Sequence, residues 1–207
     1  MAKYIATHRA LESVDLVVSS PSRRAVMTAG AIAAATGAGP TVDVRLRELS
    51  FGEWEDRLPT EVDPAALRRW ELDPALYSPP GGETGLEVLA RAVAAVRDAA
   101  GMAAEAAAQT TAQTTAARRR SPGTVAVVAH KAPIRLVLSF FLGLPPSRYR
   151  DIANVAVGSI SRLTLHEDEG RASLLALGDV SHLPPEWRMN PDLAAWPTRG
   201  GPWPIDG

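Results

Sequence analysis

The chain of 207 residues contains no cysteine, which excludes disulfides, thiolate metal sites and a cysteine nucleophile. It also lacks an excess of charge of either sign. The net charge of -1 argues against a nucleic-acid binder held by bulk electrostatics, while leaving room for a local basic pocket. No apolar run approaches membrane length, and the first residues show no charged region followed by an apolar one; the expectation is a cytoplasmic protein without a membrane partner. There is no internal repeat. What remains is ordinary for a soluble domain, with 46% hydrophobic and 22% charged residues. That length suits a single α/β domain over residues 1–207 and would cramp two.

The most informative stretch is Ser19 to Ala25, S-S-P-S-R-R-A, which follows the apolar run Leu16-Val17-Val18. It reads as a buried strand ending where a helix begins, with Ser20 as N-cap and Pro21 at the first helical position. Arg23 and Arg24 then fall in the first turn, against the positive end of the helix dipole. Two cations there make sense if an anion such as phosphate occupies the space in front of the helix. An ordinary surface arginine pair fits the residue types equally well.

Further along, the helix is expected to run from Pro21 to Ala35, stopped by Gly37 and Gly39. Thr41 to Leu46 alternates as a second strand, and Pro64 to Trp70 suggests a short helix. Tyr77 to Thr84 must be loop, and a strongly periodic helix follows from Gly85 to about Ala100. Residues 103–120 are a low-complexity insertion of Ala, Gln and Thr ending in three arginines. The run T-V-A-V-V-A from Thr124 to Ala129 reads as a parallel strand covered on both faces, with His130 at its end and a helix from Pro133 to Phe141. Ser159–His166 and Ala172–Leu177 flank the turn at 167–170 as an antiparallel edge hairpin, and residues 188–207 form an irregular tail. The expected fold is a single-domain three-layer αβα sandwich with a mostly parallel open sheet. In such sheets ligands sit beyond the carboxyl ends of strands, where Ser19–Arg24, Glu48–Glu55 and His130–Lys131 all fall.

Four motifs occur in order: Ser19–Ala29, Arg45–Glu55, Pro79–Thr84 and Val125–Arg135. Together they resemble the histidine phosphatase superfamily, in its phosphoglycerate mutase-like branch. The resemblance implies a metal-independent phosphomonoesterase that needs no cofactor and acts on a small phosphorylated metabolite. It implies Arg24 as the phosphate-pocket arginine, with Ser20 beside it. Glu48 becomes the acid that protonates the leaving oxygen, and His130 a histidine that hydrogen-bonds the phosphoryl group. Glu83 is expected to shape the substrate entrance. Phosphoryl transfer needs this kind of setting, with donors around the equatorial oxygens and a proton for the leaving alkoxide.

Two features depart from the family pattern. The Arg-His-Gly element, whose histidine becomes phosphohistidine in the family, does not occur. Either Tyr4–Glu12 is a diverged copy of that strand with His8 as nucleophile, or Lys3–Glu12 is helical and the strand is absent. Only seven residues separate His8 from Leu16, short of the ~10–12 that a parallel crossover needs, and Tyr4, Ile5, His8 and Leu11 share a helical face. The second reading implies an N-terminally shortened phosphatase with impaired catalysis, one that binds phosphate ligands or protein partners instead. Loss of a central strand would expose its neighbour's edge and favour marginal stability or self-association, as in a homodimer. Lys131 stands where the family has glycine, so it either adds a cation for substrate or crowds the pocket. His166 and His182 read as structural or surface residues.

Overall fold

The computed structural model describes residues 1–11, 13–112, 123–152, 155–166 and 171–188. Its helices are α1 (Ala2–Ile5), α2 (Arg23–Thr36), α3 (Pro64–Leu72), α4 (Gly85–Ala112), α5 (Lys131–Phe141) and α6 (Pro185–Arg188). Its strands are β1 (Leu16–Ser19), β2 (Pro40–Val42), β3 (Val125–Val128), β4 (Ile160–Leu165) and β5 (Ala172–Asp179). The loops carry short 3-10 turns.

β1 lies between β2 and β3 and pairs with both in parallel, with Val18 opposite Thr41 and Val127. Side chains alternate across a strand, so neighbouring valines face opposite layers. Val17 packs with Ala29 and Ile32 of α2, and Val18 with Leu46 and with Ala95 and Ala99 of α4. Helices on both faces of a parallel sheet give the α/β sandwich read from the sequence. β4 and β5 form a separate antiparallel ladder. Among the described residues, β3 has a ladder partner on one side only.

Several boundaries differ from the sequence expectation, each for a local reason. Ser22, not Ser20, occupies the N-cap of α2, and the helix starts at Arg23 rather than Pro21. Ser20 instead continues β1, its N–H donating to the Val128 carbonyl at 2.9 Å. The second strand ends at Val42 because the Asp43 carboxylate accepts from the Arg45 N–H at 2.8 Å and draws the chain into a 3-10 turn. α3 begins at Pro64 as expected, capped by Asp63, which accepts from the N–H groups of Ala65 and Ala66. α4 outruns its expected end at Ala100 and enters the alanine-rich segment. Alanine has the highest helix propensity, and Ala103 and Ala107 lie one turn apart on a buried face. α5 begins at Lys131, two residues before Pro133.

Residues 1–13 contain no strand among those described. Ala2–Ile5 is helical and Arg9–Leu11 forms a 3-10 turn, which agrees with the helical alternative. Ile5 and Leu11 pack with Val14, Val17 and Ile32 on the α2 side of the sheet. The arginines of 118–120, the hairpin turn at 167–170 and the tail from 189 lie outside the described residues.

Candidate active site

The carboxyl ends of β1 and β3 lie side by side, and each hands over directly to a helix. β1 leads through Ser20 and Ser22 into α2; β3 leads through His130 into α5. This topology sets His130 against the first turn of α2. Arg24 Nη2 lies 3.0 Å from His130 Nδ1, and Ser20 Oγ lies 2.7 Å from His130 Nε2, with Ser22 Oγ at 3.3 Å. A guanidinium can only donate, so Nδ1 accepts and the tautomer assigned by this network carries its proton on Nε2, which donates to Ser20. His130 is buried, and that burial, reinforced by the Arg24 charge, lowers its pKa to about 4. The imidazole is therefore neutral at pH 7.

Glu48 reaches the same place from the loop after the 3-10 turn Val44–Leu46. Its Oε1 accepts from the N–H of Leu49 at 3.0 Å and of Ala132, in the first turn of α5, at 3.2 Å. Burial raises its pKa to about 6, against the opposing pull of those N–H groups and of Arg24. With that value, about one Glu48 in ten carries a proton at pH 7. A dianionic ligand held by Arg24 would raise the fraction further, because like charges resist a second ionisation.

The Glu48 loop is held from behind by a side chain that the sequence reading overlooked. Arg91 of α4 donates through Nη1 to the carbonyls of Arg45 and Arg47, at 2.7 and 2.8 Å, and through Nη2 to that of Glu48 at 2.9 Å. Its Nε and Nη2 grip the two oxygens of Glu83, each at 2.8 Å. Glu83 also accepts from the Ser50 N–H at 3.1 Å. Burial alone would raise the Glu83 pKa, but the Arg91 bonds override it and hold the carboxyl below the usual range. A signal for Arg91 did exist. It shares a helix face with the buried Val88 and Ala95, and a charge on a buried face calls for a partner. Close backbone approach locks the other side of the loop: a Cβ on Gly82 would lie 2.6 Å from the Ser50 carbonyl oxygen. Only glycine fits there.

Arg24, Ser20, Glu48, His130 and Lys131 thus converge, joined by Ser22, which the sequence reading also passed over. Lys131 follows His130 directly; its N–H bonds to the Glu48 carboxylate and its partly buried amine feels that charge. Glu83 stands behind the cluster, on Arg91. His8 is bonded elsewhere. Its Nε2 lies 2.9 Å from Asp179 Oδ2 at the end of β5, its Nδ1 accepts from the Ala10 N–H, and its ring meets that of His182 edge to face. His182 pairs with the Gly158 carbonyl and His166 with Ser173. Among the described residues, no three His, Asp or Glu side chains are grouped to hold a metal ion, and no helix is long and apolar enough to cross a membrane.

A parallel sheet flanked by helices thus sets an arginine, a histidine and a partly protonated carboxyl together at its strand ends, an arrangement suited to a phosphate. The model of the histidine phosphatase superfamily (branch 1) matches residues 1–178, and the chain belongs to that family. It is 32% identical over 154 residues to a glucosyl-3-phosphoglycerate phosphatase of Mycolicibacterium vanbaalenii. That alignment covers 73% of this chain and 64% of the relative, so the chain spans less than two thirds of that relative's length. A phosphoserine phosphatase of Hydrogenobacter thermophilus is 27% identical over 88% of this chain and 78% of its own. Among solved structures, the mycobacterial glucosyl-3-phosphoglycerate phosphatase with inorganic phosphate superimposes with a TM-score of 0.70 at 26% identity, covering 88% of this chain and 86% of that one.

Proposed function

We propose that the chain binds a small phosphomonoester in front of α2 and promotes its hydrolysis: the ester P–O bond breaks as Glu48 donates its proton to the leaving oxygen, and water supplies the oxygen that completes inorganic phosphate. The observation that supports this most is the shared position of a guanidinium, a neutral imidazole and a carboxyl with a pKa of about 6. Arg24 supplies guanidinium donors to the phosphoryl oxygens, and the Ser20 and Ser22 hydroxyls, positioned by the His130 ring, add donors on the same side. Glu48 is acidic enough to ionise and basic enough to keep a protonated fraction near neutrality, as a general acid requires. The family's phosphohistidine route would need His8 to leave its Asp179 and Ala10 partners. Site of action is proposed to be the cytoplasm.

A second reading is favoured by one observation: both ring nitrogens of His8 are engaged, by Asp179 and by the Ala10 N–H. On that reading the protein holds a phosphorylated ligand without forming a covalent intermediate. Radiolabelled phosphomonoester, followed by acid and base quenching, separates the two. An acid-labile, base-stable phosphoprotein that disappears in His8→Ala supports the covalent route. Phosphate binding without label or turnover supports the ligand-holding one. Absence of both phosphate affinity and turnover would remove the proposal.

A further inference from the structure

Away from the phosphate site, residues 1–11 are fastened to the end of the antiparallel ladder by a hydrogen bond, a ring pair and a side-chain contact. His8 Nε2 donates to Asp179 Oδ2 at 2.9 Å, where β5 ends. The Tyr4 ring meets that of Trp187 in α6 edge to face, with centroids 5.6 Å apart. The Met1 side chain lies over Gly158, where a Cβ would stand 2.6 Å from its sulfur. What the segment covers is apolar. Ile5 and Leu11 are buried against Val14, Val17 and Ile32, and Ala126 of β3 belongs to the same cluster.

His182 lies against this fastening. Its ring meets the His8 ring edge to face, centroids 5.2 Å apart, and its Nε2 donates to the Gly158 carbonyl at 2.9 Å. A carbonyl only accepts, so Nε2 carries the proton of the neutral ring and Nδ1 a lone pair. That Nδ1 is buried and has no hydrogen-bond partner among the described residues. A second proton would therefore be a buried donor facing no acceptor, on a cation whose ring stands against that of His8. We infer that residues 1–11 form a strap that acid releases, with His182 as the proton sensor and the His8–Asp179 pair as the clasp.

The charged groups acting on the His182 ring come from each side of it. Burial holds its pKa below the ordinary histidine value, helped by His8 and Arg188 and opposed by the Gly158 carbonyl and Asp179. Asp179 stays ionised, because the Ser181 N–H and His8 hold it far below its usual range, and Arg188 keeps its charge. A proton on His8 itself adds charge to its bond with Asp179 and tightens the clasp, so it is not the opening event. The released state binds a proton at His182 more readily than the strapped one. The strap is thus favoured above pH 6.5 and weakens as pH falls below it. His130 also favours unfolding in acid, but it sits at the ends of β1 and β3 and acts on the whole domain.

Amide hydrogen exchange on the full chain tests this, because Ile5, Ala6, Thr7, His8 and Leu11 all donate their N–H groups within the segment. Rates are measured at about pH 7.5, 6.5 and 5.5 and divided by the intrinsic rate at each pH. Protection of these amides is expected to fall at least about threefold across that range, while β1 keeps its protection. His182→Gln, whose amide still donates to the Gly158 carbonyl, holds strap protection constant with pH. His182→Asn is measured alongside, and β1 protection reports that each variant is folded. Asp179→Asn lowers strap protection at every pH and keeps the decline. Strap protection that is independent of pH in the parent protein overturns the inference, as does a decline that survives in both His182 variants. Protection unmoved by Asp179→Asn removes the clasp and the inference with it. Equal loss in β1 and in the strap would be acid unfolding of the whole domain, and that too overturns it. None of these outcomes depends on phosphate affinity or turnover.

Discussion

His130 and His8 use the same tautomer in opposite company. Each donates from Nε2 to an oxygen and accepts at Nδ1, but His130 accepts from the Arg24 guanidinium whereas His8 accepts from a backbone amide and donates to the Asp179 carboxylate. The Asp179 carboxyl is held far below its usual range, first by the Ser181 N–H and then by His8. Around His8 both ring nitrogens are taken, and the ring ties the N-terminal segment to the end of β5. Around His130 stand the Arg24 guanidinium and the Ser20 and Ser22 hydroxyls, groups suited to an anion. The comparison teaches that the partners of a histidine separate one set among donors at a candidate ligand site from one that fastens two parts of a fold.

Replacing the proton donor tests the ligand side hardest. Glu48→Gln is expected to lower kcat/KM by about 10²–10⁴-fold and to abolish the limb in the pH–rate profile near 6, where activity in the parent falls as the acid ionises. A parent profile with no break near that pH would separate Glu48 from the chemistry. Arg24→Ala should weaken inorganic phosphate binding by about 100-fold, measured by calorimetry, since a charge-assisted fork contributes about 2–3 kcal/mol. Arg91→Ala is expected to lower kcat by about tenfold through misplacement of Glu48, with the phosphate dissociation constant little changed. A loss confined to affinity would contradict that role.

On the fastening side the expected effects are smaller. His8→Ala should leave phosphate affinity within about threefold and lower stability by about 1 kcal/mol, read from urea denaturation. A large loss of affinity would erase the distinction between the two histidines. Least of all, pH should reveal His130. Its folded-state pKa lies below the ordinary histidine value of 6.5, so the unfolded chain binds more protons between pH 6.5 and 4, and stability falls as pH drops through that window. His130→Asn should flatten this slope in thermal melts at closely spaced pH values. Persistence of the full slope would place its origin elsewhere.

Much of this was legible from residue order. The alternation of apolar runs with periodic segments gave the α/β sandwich, and motifs placed beyond strand ends brought Arg24, Glu48 and His130 together in advance. What escaped was decided by side chains that compete with the backbone. Asp43 ended a strand early, and Ser20, expected as a cap, bonds the Val128 carbonyl through its N–H and the His130 imidazole through its hydroxyl instead. Arg91 escaped because its partners are carbonyls more than forty residues away in sequence, which no local pattern displays. The hairpin was legible as an element, yet its separation from β3 depends on tertiary pairing alone.

Three carbonyls and a carboxylate converge on one guanidinium, so the reactive loop inherits its placement from the longest helix of the molecule. Other turns of that helix make single contacts, Arg97 over the Phe140 ring and Asp98 with Arg45. On the proposed function, position 91 serves the reaction as well, while standing behind the residues that would touch the ligand. Inheritance of activity in diverging descendants of this chain would therefore be decided at a site that no inspection of the ligand cavity would flag.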